Sequence, residues 1–184
     1  TFNPTLSSGS ATVGTDTSTA LEYFDGASWV AVPAGGVTLA AGATSVQLRV
    51  ATSDDFAAEG SETFALTATV TAGTTANASA SGTATISDDT DATTVSLTAT
   101  PSVAEGGSIV YTATLTNAAV TPMTVTLASG ATITIAAGAT SGSTPVLAPS
   151  DDAVIDAGSV SATITSTSGG SLEAVAIDTS AAIA

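Results

Sequence analysis

Lysine, histidine and cysteine are all absent from this sequence, and Arg49 is its only basic residue. Each absence removes a class of chemistry. Without cysteine there is no disulfide, no thiol nucleophile and no thiolate zinc site. Without histidine the commonest general base and metal ligand is gone. Serine and threonine are plentiful, but no His or Lys can activate them, so a catalytic triad is excluded. One arginine cannot form the basic face that nucleic acid needs, and anionic membrane surfaces are disfavoured for the same reason. No apolar run approaches the ~20 residues of a spanning helix, so no membrane insertion is expected. Nothing at the N-terminus resembles a signal peptide, so any export signal is expected to lie elsewhere or to have been cut away. Aromatics are 4% of the chain. A glycosidase would need a carboxylate pair beside a sugar cleft, and the main aromatic cluster is "YFDGASW", 23–29. The chain is expected not to be an enzyme.

Acid is abundant. Sixteen Asp and Glu give a formal net charge of -15. A disordered acidic tail would be charge-dense and poor in apolar residues, whereas here 9% is charged and 43% apolar. The metals open to such a chain are those content with oxygen ligands, calcium above all and magnesium less so.

The pattern is all-β. Short runs rich in Thr, Val, Ile and Ala recur between Gly, Ser, Asn and Asp turns, among them 46–50, 63–70, 83–87, 94–100, 108–116, 123–127 and 131–135. In "SIVYTATLT", Ile109, Tyr111, Ala113 and Leu115 fall on one face and Val110, Thr112 and Thr114 on the other. Many short strands at this spacing indicate antiparallel β-sandwiches. The chain also repeats itself. "VTLAAGATS" (37–45) returns as "ITIAAGATS" (133–141), and 53–70 aligns with 150–167. We therefore expect two tandem sandwich domains joined end to end, 1–90 and 91–184. The first lacks a counterpart of the second's first strand, and the second ends within its last. The joint, "ISDDTDATTVSL", is short and acidic rather than a flexible Gly/Ser linker.

The acids gather where strands end: Asp16, the run Asp54, Asp55, Glu59 and Glu62, and Asp88 with Asp89. Loops at one pole of a sandwich cluster in space. Two carboxylates about 4 Å apart repel by roughly 4 kcal/mol at an effective dielectric near 20. Two readings fit: a solvated acidic surface that keeps a β-protein soluble, or a site filled by cations. The bunching at strand ends and the lack of Lys, the usual edge-blunting residue, favour cations. Calcium takes 6–8 oxygens, so two or three ions would suit this supply.

"GTD" (14–16), "LAAGATSVQLRV" (39–50), "DDFAAEGSETF" (54–64) and "GTATISDDTD" (82–91) together resemble a Calx-beta domain. The resemblance implies an Ig-like sandwich with calcium at one pole. It implies Asp16, Asp54, Asp55, Glu59, Glu62, Asp88 and Asp89 as side-chain ligands and the carbonyl of Ala57 as a further one. The family's Glu in the first interstrand loop has no counterpart, because it would lie before Thr1. An ion near Asp91 would fix the angle between the domains; a hydrated linker residue is the other reading of Asp91.

The second half resembles the same family less closely. Glu105 stands in its first loop, and Asp151, Asp152 and Asp156 match the acidic run. Ser159 replaces the last Glu, and Glu173 and Asp178 match no motif. Its wording, "EGGSIVYTATLTNAA", also resembles the extender repeats of large calcium-dependent (RTX-type) bacterial adhesins exported by type I secretion. The resemblance implies a secreted, surface-located, monomeric spacer bound to several Ca2+ ions, whose partners are neighbouring tandem domains. The competing expectation is an adhesion module that binds carbohydrate, protein or ice through an exposed face or the Tyr23–Trp29 segment. Arg49 is expected to face outward and meet an acid.

Overall fold

The computed structural model describes residues 1–150 and 158–184. The described chain is all-β and folds as two compact units. One is Thr1–Asp55 with Glu59–Asp88, and the other is Phe56–Ala58 with Asp89–Ala184. Phe56–Ala58 belong to the second unit through backbone bonding. The Ala58 N–H donates to the Ser171 carbonyl at 3.0 Å, and the Glu173 N–H donates to the Phe56 carbonyl at 3.2 Å.

The first unit holds β1 (Phe2–Ser8), β2 (Thr17–Phe24), β3 (Trp29–Ala31), β4 (Leu48–Thr52), β5 (Glu62–Val70) and β6 (Ser79–Ile86). They form two antiparallel sheets, ordered β1-β5-β6 and β3-β2-β4. Small side chains dominate β6, and all its residues but Ile86 are exposed. Among the described residues of this unit, the buried apolar side chains are Ala11, Val37 and Phe64.

The second unit holds β7 (Ala92–Ala99), β8 (Ser108–Leu115), β9 (Met123–Leu127), β10 (Thr132–Ile135), β11 (Ser141–Leu147), β12 (Ser161–Ala162), β13 (Ile164–Gly169), β14 (Ala174–Ile177) and β15 (Ala182–Ile183). Sheet β11-β8-β7-β14 packs its inner face on sheet β10-β9-β13. The period-2 pattern of β8 appears as predicted: Ile109, Tyr111, Ala113 and Leu115 are buried, and Val110 and Thr114 exposed. Met123, Val125, Ile133 and Ile135 from the facing sheet are fully buried in the same cluster. Each such side chain contributes about 1.5–3 kcal/mol through burial, so most of the hydrophobic stabilisation lies in this unit.

The sequence repeat has a structural counterpart in a turn. Ala43 N–H donates to Ala40 O, and Ala139 N–H donates to Ala136 O, both at 3.0 Å. The glycine between takes positive φ in each, 84° at Gly42 and 76° at Gly138, a conformation that glycine adopts without penalty. Pairing around the repeat differs. β5 lies in a sheet beside β1, whereas its aligned partner β13 lies beside β9. The straight β5 and β6 correspond to the broken pairs β12/β13 and β14/β15.

Candidate metal centre

Three segments of the first unit meet at one end of it. The first is the turn before β2. Thr15 and Asp16 N–H groups both donate to the Thr12 carbonyl, at 3.1 and 2.9 Å. Asp16 Oδ2 in return accepts the Thr12 N–H at 2.5 Å. The Asp16 carbonyl accepts the Ser53 N–H at 2.9 Å, which ties this turn to the start of the acidic run. The third segment arrives by register. Glu62 opens β5 and pairs with Ile86, which closes β6. Residues before Glu62 and after Ile86 are therefore neighbours, and Asp88 Oδ2 accepts the Glu59 N–H at 2.9 Å.

The result is a convergence of carboxylates. One oxygen each from Asp16, Glu59 and Glu62 lies within 4.8 Å of the others. Asp16 and Glu62 are half-buried and Glu59 is exposed. The Glu59 carboxyl is held above its ordinary range by loss of solvent and then by the charges of Glu62, Asp55, Asp16 and Asp88. Glu62 is raised by loss of solvent, then by the charge of Asp16 and a carboxyl–carboxyl hydrogen bond to it, and by Asp88. Directly after Asp16, the Thr17 hydroxyl is buried and makes no hydrogen bond. Arg49 does not relieve this repulsion. Its Nε donates to Glu22 Oε2 at 2.6 Å, and its guanidinium lies 4.5 Å from the Trp29 ring centre.

The donor set suits a hard cation: anionic oxygens, no nitrogen or sulfur ligand, and mutual repulsion that a divalent charge would relieve. Asp16, Glu59 and Glu62 are the residues that could hold one, and Asp88 stands beside them through its bond to the Glu59 backbone. Asp54 and Asp55 are exposed at the end of β4. Asp55 acts on Glu59 electrostatically.

Residues 91–184, slightly more than half of the chain, match the LapA domain. The chain belongs to the LapA domain family. This makes it an adhesin-related region with a cell-surface association. The LapA domain spans β7–β15 and so contains the contiguous core. No curated protein and no solved structure matches the chain.

The remaining predicted residues lie in or beside the LapA domain. Asp89 is exposed and Asp91 half-buried. The Asp91 N–H donates to the Glu173 carboxylate, which fastens the start of β7 to the strand region before β14. Glu173 matched no sequence motif, and this bond is long-range, so no local signal could reveal it. Asp178, likewise unassigned, accepts the Ser180 N–H at 2.9 Å, and that bond holds its carboxyl below the usual range. Ala57 bridges Leu172 in the second unit, so its neighbours there are the backbone of 171–173. Glu105 is exposed in a turn whose Gly106 N–H donates to Pro149 O at 2.7 Å. That bond brings the first loop to the residues preceding Asp151. Asp151, Asp152 and Asp156 lie outside the described residues.

Proposed function

We propose that this chain is a calcium-binding spacer of a secreted bacterial surface adhesin, a region that extends the protein and becomes rigid when calcium is bound. One observation carries the reading. Asp16, from the turn before β2, converges within 4.8 Å on Glu59 and Glu62 of the acidic run, with no basic side chain beside them. Calcium supplies the positive charge and the demand for several oxygens that this arrangement lacks. The chain's own bonds prepare the end: Thr12 orients the Asp16 carboxylate, and Asp88 holds the backbone of Glu59. Without a cation, carboxylate repulsion loosens these loops, and the first unit has little buried apolar surface to oppose it. Extracellular calcium modules bind at about 10⁻⁴–10⁻³ M, so such a site would be filled outside the cell. The role is mechanical rather than catalytic, the chain works as a monomer, and its partners are the neighbouring domains of its own polypeptide.

The test is a calcium titration followed by thermal melting and small-angle scattering. Millimolar calcium is expected to raise the melting temperature of the first unit and to narrow the distribution of molecular dimensions. Identical melting and scattering in chelator and in calcium would overturn the proposal.

A further inference from the structure

A groove of about 490 Å³ opens between the end of β2 and residues 37–47 of the first unit. That volume lies within the range of small-molecule sites. Its two sides are joined by backbone bonding: the Phe24 N–H donates to the Gln47 carbonyl at 3.0 Å. The Asp25 carboxylate accepts the N–H groups of Ala27 and Ser28, at 2.8 and 2.9 Å, in a turn where Gly26 has φ 105°. These bonds hold the Asp25 carboxyl below its usual range, so it stays ionised.

The lining is amphipathic. Tyr23, Phe24 and Leu39 offer apolar surface, and Leu39 is 39% exposed. Asp25, Ser45 and Gln47 offer a carboxylate, a hydroxyl and an amide. Trp29 does not line it; the Arg49 guanidinium lies against the Trp29 ring and Phe24 packs beside it at 5.7 Å. No cationic side chain lines the groove, and a chain of net charge -15 repels anions. A ligand matched to these walls has an apolar face to lie on one aromatic ring, since Tyr23 and Phe24 are consecutive in β2 and face opposite ways. It also has many hydroxyls to donate to Asp25 and exchange hydrogen bonds with Gln47 and Ser45.

We propose that this groove binds a neutral oligosaccharide. None of the carboxylates of the calcium centre lines it, so the two sites can be tested apart. The experiment is a titration of the whole ¹⁵N-labelled chain, in saturating calcium, with maltohexaose and with cellohexaose. Spermine and an oligogalacturonate serve as charged probes. Amide shifts are expected at residues 23–26 and 37–47 with at least one neutral sugar. Gln47→Ala is expected to weaken that binding roughly tenfold, and Ser45→Trp, which fills the groove, to abolish it. Spectra of both variants away from the groove should superimpose on the parent's. The proposal is overturned by silence with both neutral sugars, by shifts with a charged probe alone, or by binding that Gln47→Ala leaves unchanged.

Discussion

Asp88 accepts the backbone N–H of Glu59 at 2.9 Å, although 29 residues separate them. This bond closes the acidic end of the first unit, because it brings the exit of β6 against the loop that leads into β5. Around it stand Asp16 and Glu62, and their behaviour can be predicted from charge alone.

Glu62→Gln and Asp16→Asn should each raise the melting temperature measured in chelator, since each removes a repelling charge from the cluster. In calcium the same variants should lose most of the ion-induced stabilisation, with affinity reduced roughly tenfold or more. Trp29, the chain's single tryptophan, lies in the first unit and reports this transition by fluorescence. Variants that melt as the parent does under both conditions would mean a solvated acidic surface.

The pH dependence follows from the raised carboxyls. Glu59 and Glu62 have folded-state values above the reference 4.5. The folded unit then binds protons more tightly than the unfolded chain. Their stabilising contribution is full below 4.5 and is lost as pH rises through the folded values. In chelator, acidifying from neutrality toward that range should therefore raise the first unit's melting temperature. Asp25 and Asp178, lowered from 3.8, act in the opposite sense at still lower pH. With calcium bound, acidification should instead destabilise, because protons compete for the same oxygens. Melting curves across pH, with and without calcium, check both signs.

Arg49→Ala should change stability by less than about 1 kcal/mol, since Arg49 and Glu22 are 51% and 40% exposed. The visible effect should be a red shift of Trp29 emission as the ring loses its covering guanidinium. Calcium affinity should not move.

In the LapA domain, Ile133→Ala should cost about 2–5 kcal/mol, because Ile133 is fully buried in the core. Gly142→Ala should cost about 1–3 kcal/mol, because a Cβ there would overlap the Thr134 carbonyl oxygen. Hydrogen exchange at the amides of β9 and β10 measures both.

Much of the fold was legible because strand alternation is a local property. Ile109, Tyr111, Ala113 and Leu115 could face the core only together, and they do. Strands without clear alternation, such as the short β3 and the interrupted β12–β15, left no such signal. The acids of the first unit were legible as a group because no basic residue answers them, but the approach of Asp16 depends on its backbone bond to Ser53, and that of Asp88 on the Glu62–Ile86 register. Glu173 was invisible, because its role is one long-range bond to the Asp91 backbone.

Composition alone determined that the chain has no thiol, imidazole or amine chemistry, and its alternating pattern determined an all-β fold with a repeated Ala-Ala-Gly-Ala turn. Only the tertiary structure decided which strands are neighbours. β5 sits beside β1 while its sequence counterpart β13 sits beside β9. Backbone hydrogen bonds make that choice possible, because they are the same for every side chain. Alternation says which face turns inward, and the packing of the whole unit selects the partner strand.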